Sequence, residues 1–391
     1  MKQKFPPITL SEVNDVLGLT IKGDQINRQI IFLSMVLTYT EQDQVNIILS
    51  GPSSSGKTFL AQEVSSLFPT DSVVKLAHTS PTAFFHNSSE MEKRDKEFYL
   101  DMRGKAYIFL DQPHSQLLQF LRPVLSHDQK IIECRITDKD QKFGLRTKTI
   151  KLIGSPTVIF CSANFEIDEQ ELTRSFSLSP EINQEKLSIS IKAAIHREAN
   201  TLSIENEIYQ NKSWVELSER IKAIREAKIQ HIIVPQEDYI YTKFANGKRL
   251  IPRNHRDIVR VIRLAKAIAL LNLWNRNYDQ DKQSIQVKTE DVDEAFNIWK
   301  QISDYQQVGI SQHTTSIFAK VIAPLCNNKI IDTWTTKQEI ISKYRHVFGG
   351  PLSAYQLNRY ILPSLESAGL VSLEFRPDNK KEYVIKLNKD I

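Results

Sequence analysis

The sequence predicts an α/β fold: a parallel sheet with flanking helices, then a helical block, then a winged-helix end. Three observations predict it. Short apolar runs alternate with helical patterns over residues 1–190, a glycine-bounded loop joins the first of those runs to a helix, and after residue 312 the rhythm changes to three helices and a hairpin. The chain has 391 residues, 25% charged and 41% hydrophobic, with 12 Gly and 15 Pro. That profile excludes collagen-like, low-complexity and largely disordered classes.

Residues 45–49, 72–76, 106–110 and 157–161 are apolar, short and rich in Val, Ile and Phe, and read as buried strands. Residues 257–274 and 290–302 repeat apolar side chains at i, i+3 and i+4, so residues 191–308 read as a helical subdomain. In residues 312–391, helical patterns near 314–325, 336–346 and 354–368 precede alternating strands at 370–375 and 382–387, with Pro377, Asp378 and Asn379 at the turn. Cys134, Cys161 and Cys326 lie far apart with no Cys-x-x-Cys pair. This excludes a disulfide framework and a cysteine zinc site, and a cytoplasmic location is expected. No run of 18 apolar residues exists, so no membrane partner is expected. The net charge of +5 permits a nucleic-acid partner without demanding one.

Gly51, Pro52, Ser53, Ser54, Ser55, Gly56, Lys57 and Thr58 fit G-x-x-x-x-G-K-[ST] between a strand and a helix. Loop N–H groups and the helix N-terminus make an anion cradle. Lys57 is expected to reach the outer phosphates of ATP, and Thr58 to bind Mg²⁺. The run 106–110 ends in Asp111, the second expected Mg²⁺ ligand. The next residue is Gln112, which has the shape of a glutamate but no basicity. Two explanations compete: a natural ATP-binding switch, or a deliberate Glu-to-Gln substitution that traps the ATP state. The second is preferred, because the other catalytic elements are present.

At these motifs the chain resembles an AAA+ ATPase of the clade with a presensor-1 β-hairpin, and within it the minichromosome-maintenance (MCM) type of replicative helicase. The resemblance spans about residues 19–300. It implies that Ile21 and Gly23 line the adenine pocket, that Asn164 is the sensor-1 residue, and that Arg174 acts on the neighbouring subunit's ATP. It further implies that Arg256 opens the sensor-2 helix. Gln112, Pro113 and His114 depart from the family's Glu-Phe-Asp, and Ser175 is an extra residue between Arg174 and Phe176. The family's N-terminal oligonucleotide-binding and zinc modules have no counterpart in residues 1–44, as expected of a minimal motor from a mobile genetic element.

Residues 131–136 and 148–152 alternate like hairpin arms, and Lys130, Arg135, Lys139, Lys142, Arg146, Lys148 and Lys151 outnumber Glu133, Asp138 and Asp140. Lys139, Lys142, Arg146 and Lys148 are the expected DNA-binding residues, since cations on phosphates give affinity without sequence reading. The expectation is therefore an ATP-driven DNA helicase or translocase that forms a ring, a homo-hexamer, around single-stranded DNA. Its C-terminal module is expected to matter less for basal ATPase than for loading. A primase or initiator is a candidate partner. The alternatives are a non-translocating initiator or helicase loader, and a MoxR-like protein remodeller.

Overall fold

The computed structural model describes residues 5–77, 79, 84, 91–94, 97–111, 113, 115–126, 129–138, 146–162, 175–200, 206–247, 250–279, 281–308, 312–327, 335–375 and 383–387. Two helices, α1 (Leu10–Leu17) and α2 (Gln25–Val36), precede β1 (Asn46–Ser50) and α3 (Lys57–Ser65). Then follow β2 (Val73–Leu76), β3 (Met91–Arg94), β4 (Glu97–Asp101), β5 (Ala106–Phe109), α4 (Ser115–Ser126), β6 (Ile131–Asp138), β7 (Arg146–Ile153), β8 (Thr157–Ser162) and β9 (Ser175–Leu178).

Five of these strands form one parallel sheet in the order β2-β5-β8-β1-β9. Parallel strands are covered on both faces, which is why their sequences read as continuous apolar runs. Alternate residues then separate into two cores. Ile47, Leu49, Ile108, Ile159, Cys161 and Phe176 face one core, while Ile48, Tyr107, Phe109, Val158 and Phe160 face the other. Buried Asn46 ties the sheet down. Its Nδ2 donates to the Leu125 carbonyl at 2.9 Å and its Oδ1 accepts from the Val158 N–H at 3.2 Å.

The second core is roofed by α4 and by a second sheet, β3-β4-β7-β6. The expected basic hairpin is β6 and β7, paired antiparallel from Ile131↔Ile153 to Asp138↔Arg146, so both arms are longer than their alternation indicated. Strands β3 and β4 were not expected. Their sequence is strongly charged, and they form because β4 finds β7 in parallel register, Phe98 opposite Ile150.

After β9 come α5 (Gln184–Ala199), α6 (Lys212–Ala227), β10 (His231–Ile233), α7 (Glu237–Ala245), α8 (Asn254–Leu271), β11 (Tyr278–Asp279), β12 (Ser284–Gln286) and α9 (Thr289–Val308). The boundary expected at residue 190 falls inside α5. The helices beyond it share one buried cluster with α1, α2 and the sheet, running from Leu10 to Ile302. Gln306 on α9 fastens this block to β9. Its amide bonds the carbonyl of Ser177, its Oε1 accepts from the Ser177 N–H at 3.3 Å, and Arg260 of α8 donates to the same oxygen.

The C-terminal region has its own core, from Ile317 to Ile385. It holds α10 (Gln312–Ile317), a π-helical turn (Phe318–Ile322), α11 (Ala323–Asn327), α12 (Lys337–Phe348), α13 (Ala354–Gln356), a second π-helical turn (Leu357–Ile361) and α14 (Leu362–Ser367). A hairpin of β13 (Val371–Phe375) and β14 (Tyr383–Leu387) closes it. Among the described residues, no helix is long and apolar enough to cross a membrane.

Phe176 is fully buried on edge strand β9. Phe176→Ala should lower unfolding free energy by about 3–5 kcal/mol in denaturant titrations. Ile191→Ala, on the 58%-exposed flank of α5, should shift it by less than about 0.5 kcal/mol.

Candidate nucleotide-binding site

Beyond Ser50 the chain leaves the sheet through a loop that no ordinary residue pattern would favour. Ser54 is left-handed (φ 62), and Gly56, the residue capping α3, has φ 93. Gly56 faces open space, so the requirement there is conformational rather than steric. The left-handed serine costs on the order of 1–2 kcal/mol, and such strain collects at ligand sites. The loop ends at the N-terminus of α3, where an anion is favoured.

Lys57 is the buried cation of this loop, only 8% exposed. Its Nζ donates to the carbonyls of Gly51 at 2.8 Å and Pro52 at 2.6 Å. Burial holds its pKa below the usual lysine range, and nearby Asp111 acts in the opposite sense. An ammonium held mainly by two carbonyls is a receptor for negative charge.

The sheet register sets the rest of the site. Ser50 of β1 lies opposite Ser162 of β8, and Phe160 of β8 lies opposite Phe109 of β5. Asp111, two residues past Phe109, therefore reaches the carboxyl edge at the level of Ser162 and is exposed there. In open parallel sheets, ligands bind outside this edge. Cys161 lies beneath the loop, with its Sγ 4.0 Å from the Lys57 carbonyl. Burial pushes its thiol up to about 12, so it is a neutral packing group.

A cavity of about 600 Å³ opens beside the loop, within the size range of small-molecule sites. Pro52, Ser53, Ser54, Ser55 and Gly56 form one wall, and Thr20, Ile21, Lys22 and Asp24 another. Gly23 stands behind that second wall with φ +70. A Cβ there would meet Lys186 Cγ at 3.0 Å, so glycine is what lets α5 approach. Asp24, nearly buried, joins the walls. It pairs with Lys186 and accepts from the Glu181 N–H at 2.7 Å and from Asn27 Nδ2 at 2.9 Å. The third wall is α5, whose Lys186, Ser190, Ala193 and Arg197 share one face at helical spacing. The Arg197 guanidinium lies 4.9 Å from the Phe59 ring centroid, bridging α5 to α3. Lys22 is held below the usual lysine range by burial and by Arg28 and Arg197. Lys22, Lys186 and Arg197 thus outnumber Asp24 and Glu181 among the lining residues.

A fourth wall comes from the C-terminal region: Tyr344, Phe348, Gly350, Pro351 and Gln356. His313 supports it from behind. Its ring lies edge-on to Tyr344 and Phe348, its Nε2 is 3.3 Å from the Tyr344 hydroxyl, and its N–H donates to Ser179 Oγ at 3.2 Å.

Ile21 and Pro52, Ser53, Ser54, Ser55 and Gly56 line this cavity, while Gly51, Lys57, Thr58 and Asp111 are outside its lining. Thr58 is half-buried in the first turn of α3. Arg256 is exposed on the first turn of α8 and does not line this cavity. Its neighbour Arg253 is largely buried, and its Nε lies 3.6 Å from the Asp257 carboxylate. Gln112, Asn164, Arg174, Lys139 and Lys142 lie outside the described residues. For Arg146 and Lys148 only the strand is described, with Arg146 opposite Asp138 and Lys148 opposite Ile136. Sequence reading missed Phe59, Lys186 and Arg197. The i, i+4, i+7, i+11 spacing of Lys186, Ser190, Ala193 and Arg197 was the one available signal. It also missed the fourth wall, which no local pattern marks.

No family model matches the chain, and no curated protein matches it.

Burial lowers the His313 pKa from 6.5 to about 4, with the Lys57 charge contributing in the same sense. The folded ring is neutral, whereas the unfolded chain takes up a proton below about 6.5. Its contribution to stability is therefore complete above pH 6.5 and is lost as pH falls toward 4, by up to about 3 kcal/mol. Denaturant titrations across that window should show this slope, and His313→Asn should flatten it.

Proposed function

We propose that this chain binds ATP with Mg²⁺ at the 51–58 loop and belongs to the ring-forming AAA+ motors of the MCM-like type, acting on DNA in replication. The observation that carries the reading is the shared level of the loop, Ser162 and Asp111 at one carboxyl edge. The expected sensor-1 strand, β8, lies between the loop strand and the Asp111 strand. A nucleoside triphosphate needs this combination: N–H groups and a buried lysine for the phosphates, with a carboxylate a short distance beyond them.

The donor set fits a magnesium ion. Thr58 and Asp111 would hold it, and when bound it would neutralise phosphate charge. Lys57 would exchange its loop carbonyls for phosphate oxygens. Gly56 and the first turn of α3 would orient the chain of phosphates, and Lys22, Lys186 and Arg197 would attract them. Gln112 can orient a water molecule through its amide but cannot take its proton. The chain is therefore read as an ATP-holding form of a hydrolase. Arg174 and Arg256 would serve the neighbouring subunit's nucleotide, and the exposure of Arg256 suits action in trans. The winged-helix reading of residues 312–391 and the lid reading of α5–α9 belong to the same proposal. So does the hexamer enclosing single-stranded DNA, gripped by Lys139, Lys142, Arg146 and Lys148.

A second reading, a non-translocating initiator or helicase loader, is favoured by one observation, the glutamine at position 112, since a switch that holds ATP needs no general base there.

Gln112→Glu should raise phosphate release with saturating DNA by about 10²–10⁴-fold, the usual worth of a general base. Equal rates would move the loader reading ahead. In the Gln112→Glu background, Arg174→Ala should keep nucleotide binding and lose hydrolysis, and mixing it with a Lys57→Ala chain should restore part of the activity. No restoration in any mixture would count against action between subunits. Neutralising Lys139, Lys142 and Arg146 should weaken single-stranded DNA binding and shrink its salt slope, since each lost phosphate contact removes about 0.7 from it. An unchanged slope would place DNA elsewhere.

A further inference from the structure

The C-terminal region is packed onto the nucleotide cavity rather than tethered beside it. Its α12 carries Tyr344 and Phe348 at i and i+4, so both rings stand on one helix face, with centroids 4.7 Å apart. Both are buried, at 4% and 5% exposure, yet both line the cavity that the phosphate loop lines from the other side. Three links hold this face in position. His313 joins Tyr344 to Ser179, and Ser179 Oγ lies 3.5 Å from Ser50 Oγ at the base of the loop. Ile182 packs into the C-terminal core, although it belongs to the segment between β9 and α5. Gly349 ends α12 in a left-handed turn (φ +76), and a Cβ there would meet Gln184 Nε2 of α5 at 2.4 Å.

The chemistry of the four walls differs. The loop and the cations offer charge, which suits phosphates. The C-terminal wall offers two aromatic rings, Pro351 and one amide, Gln356, which suits a flat, partly apolar group. A nucleoside presents such a group, and aromatic faces hold bases by stacking.

We propose that Tyr344 and Phe348 are nucleoside-contacting residues of the site, so that the C-terminal region completes the pocket of its own chain and is held in place by bound ATP. This rests on the proposed ATP site and extends it, since that reading needs only the loop, Ile21 and Asp111. It also goes beyond the expectation that the C-terminal module matters less for basal ATPase than for loading. By linkage, whatever strengthens the docking of α12 strengthens ATP binding, and bound ATP strengthens the docking equally.

The test is hydrogen exchange on the unmodified full chain, alone, with Mg-ATP, and with inorganic triphosphate. ATP should slow exchange in α12 and in residues 350–356 as well as in α3, whereas inorganic triphosphate should slow it in α3 alone. Tyr344→Ala and Phe348→Ala should each weaken ATP binding by about tenfold or more and leave inorganic triphosphate binding within about twofold. Lys57→Ala should weaken both ligands. If ATP protects α3 and residues 20–24 but leaves α12 and 350–356 unchanged, the nucleoside contact is wrong while the ATP site stands. If the aromatic variants lose ATP and triphosphate equally, their role is structural and the contact is again wrong. If ATP protects neither α3 nor α12, the ATP site itself falls and takes this proposal with it.

Discussion

A buried lysine at the edge of a parallel sheet is the constraint around which this fold is arranged. Lys57 can be buried only because Gly51 and Pro52 offer carbonyls to its ammonium. Those carbonyls are free only because the loop leaves the sheet instead of continuing its ladder. The loop can leave because Ser54 and Gly56 accept left-handed backbone, and it can return because α3 begins at once. Every later element answers to that edge. β8 stands against β1, β5 stands against β8, and together they bring Ser162 and Asp111 level with the loop. Burying the cation costs free energy, which the two carbonyl bonds offset in part.

The same edge explains the burial of the flanking elements. Parallel strands need cover on both faces. One face takes α1, α2, α3 and the helices α6 to α9 in a single cluster, and the other takes α4 and the second sheet. The block from α6 to α9 is therefore part of the core's own packing as well as a separate run of helices. Gln306 and Arg260 add polar links from that block to Ser177 at the sheet edge. Movement between block and sheet would have to repack an apolar face and exchange those bonds together.

Much of this was legible in the sequence, and the reasons are local. The runs at 45–49 and 157–161 are too apolar and too short for anything but buried strands, and 51–58 carries its own chemistry. The expected hairpin at 130–154 and the C-terminal pattern of helices and strands also match the observed elements. β3 and β4 were not legible, because Glu92, Lys93, Arg94 and Glu97 give no strand-like alternation and the pairing partner of β4 lies some fifty residues away. Residue 190 falls inside α5, which has no buried residue of its own and so carries no core-facing stripe in its pattern. In the site, Asp111 was singled out by the apolar run that ends in it, and Ile21 only by the family resemblance. Lys186 and Arg197 left only their helical spacing as a signal, and Tyr344 and Phe348 left none, since a wall contributed by a distant segment is marked by no local pattern. Cys161 was visible only as a strand residue, and its position under Lys57 follows from register alone.

The central claim is that the carboxyl edge holds ATP within a ring whose pore carries DNA. Electron cryo-microscopy of the chain with Mg-ATP and single-stranded DNA tests it most directly. The account predicts a closed or nearly closed ring, with nucleotide in the cavity beside residues 51–58 and the strand running past the β6–β7 tips. Monomers with DNA on an outer surface, or nucleotide bound away from that loop, would contradict it.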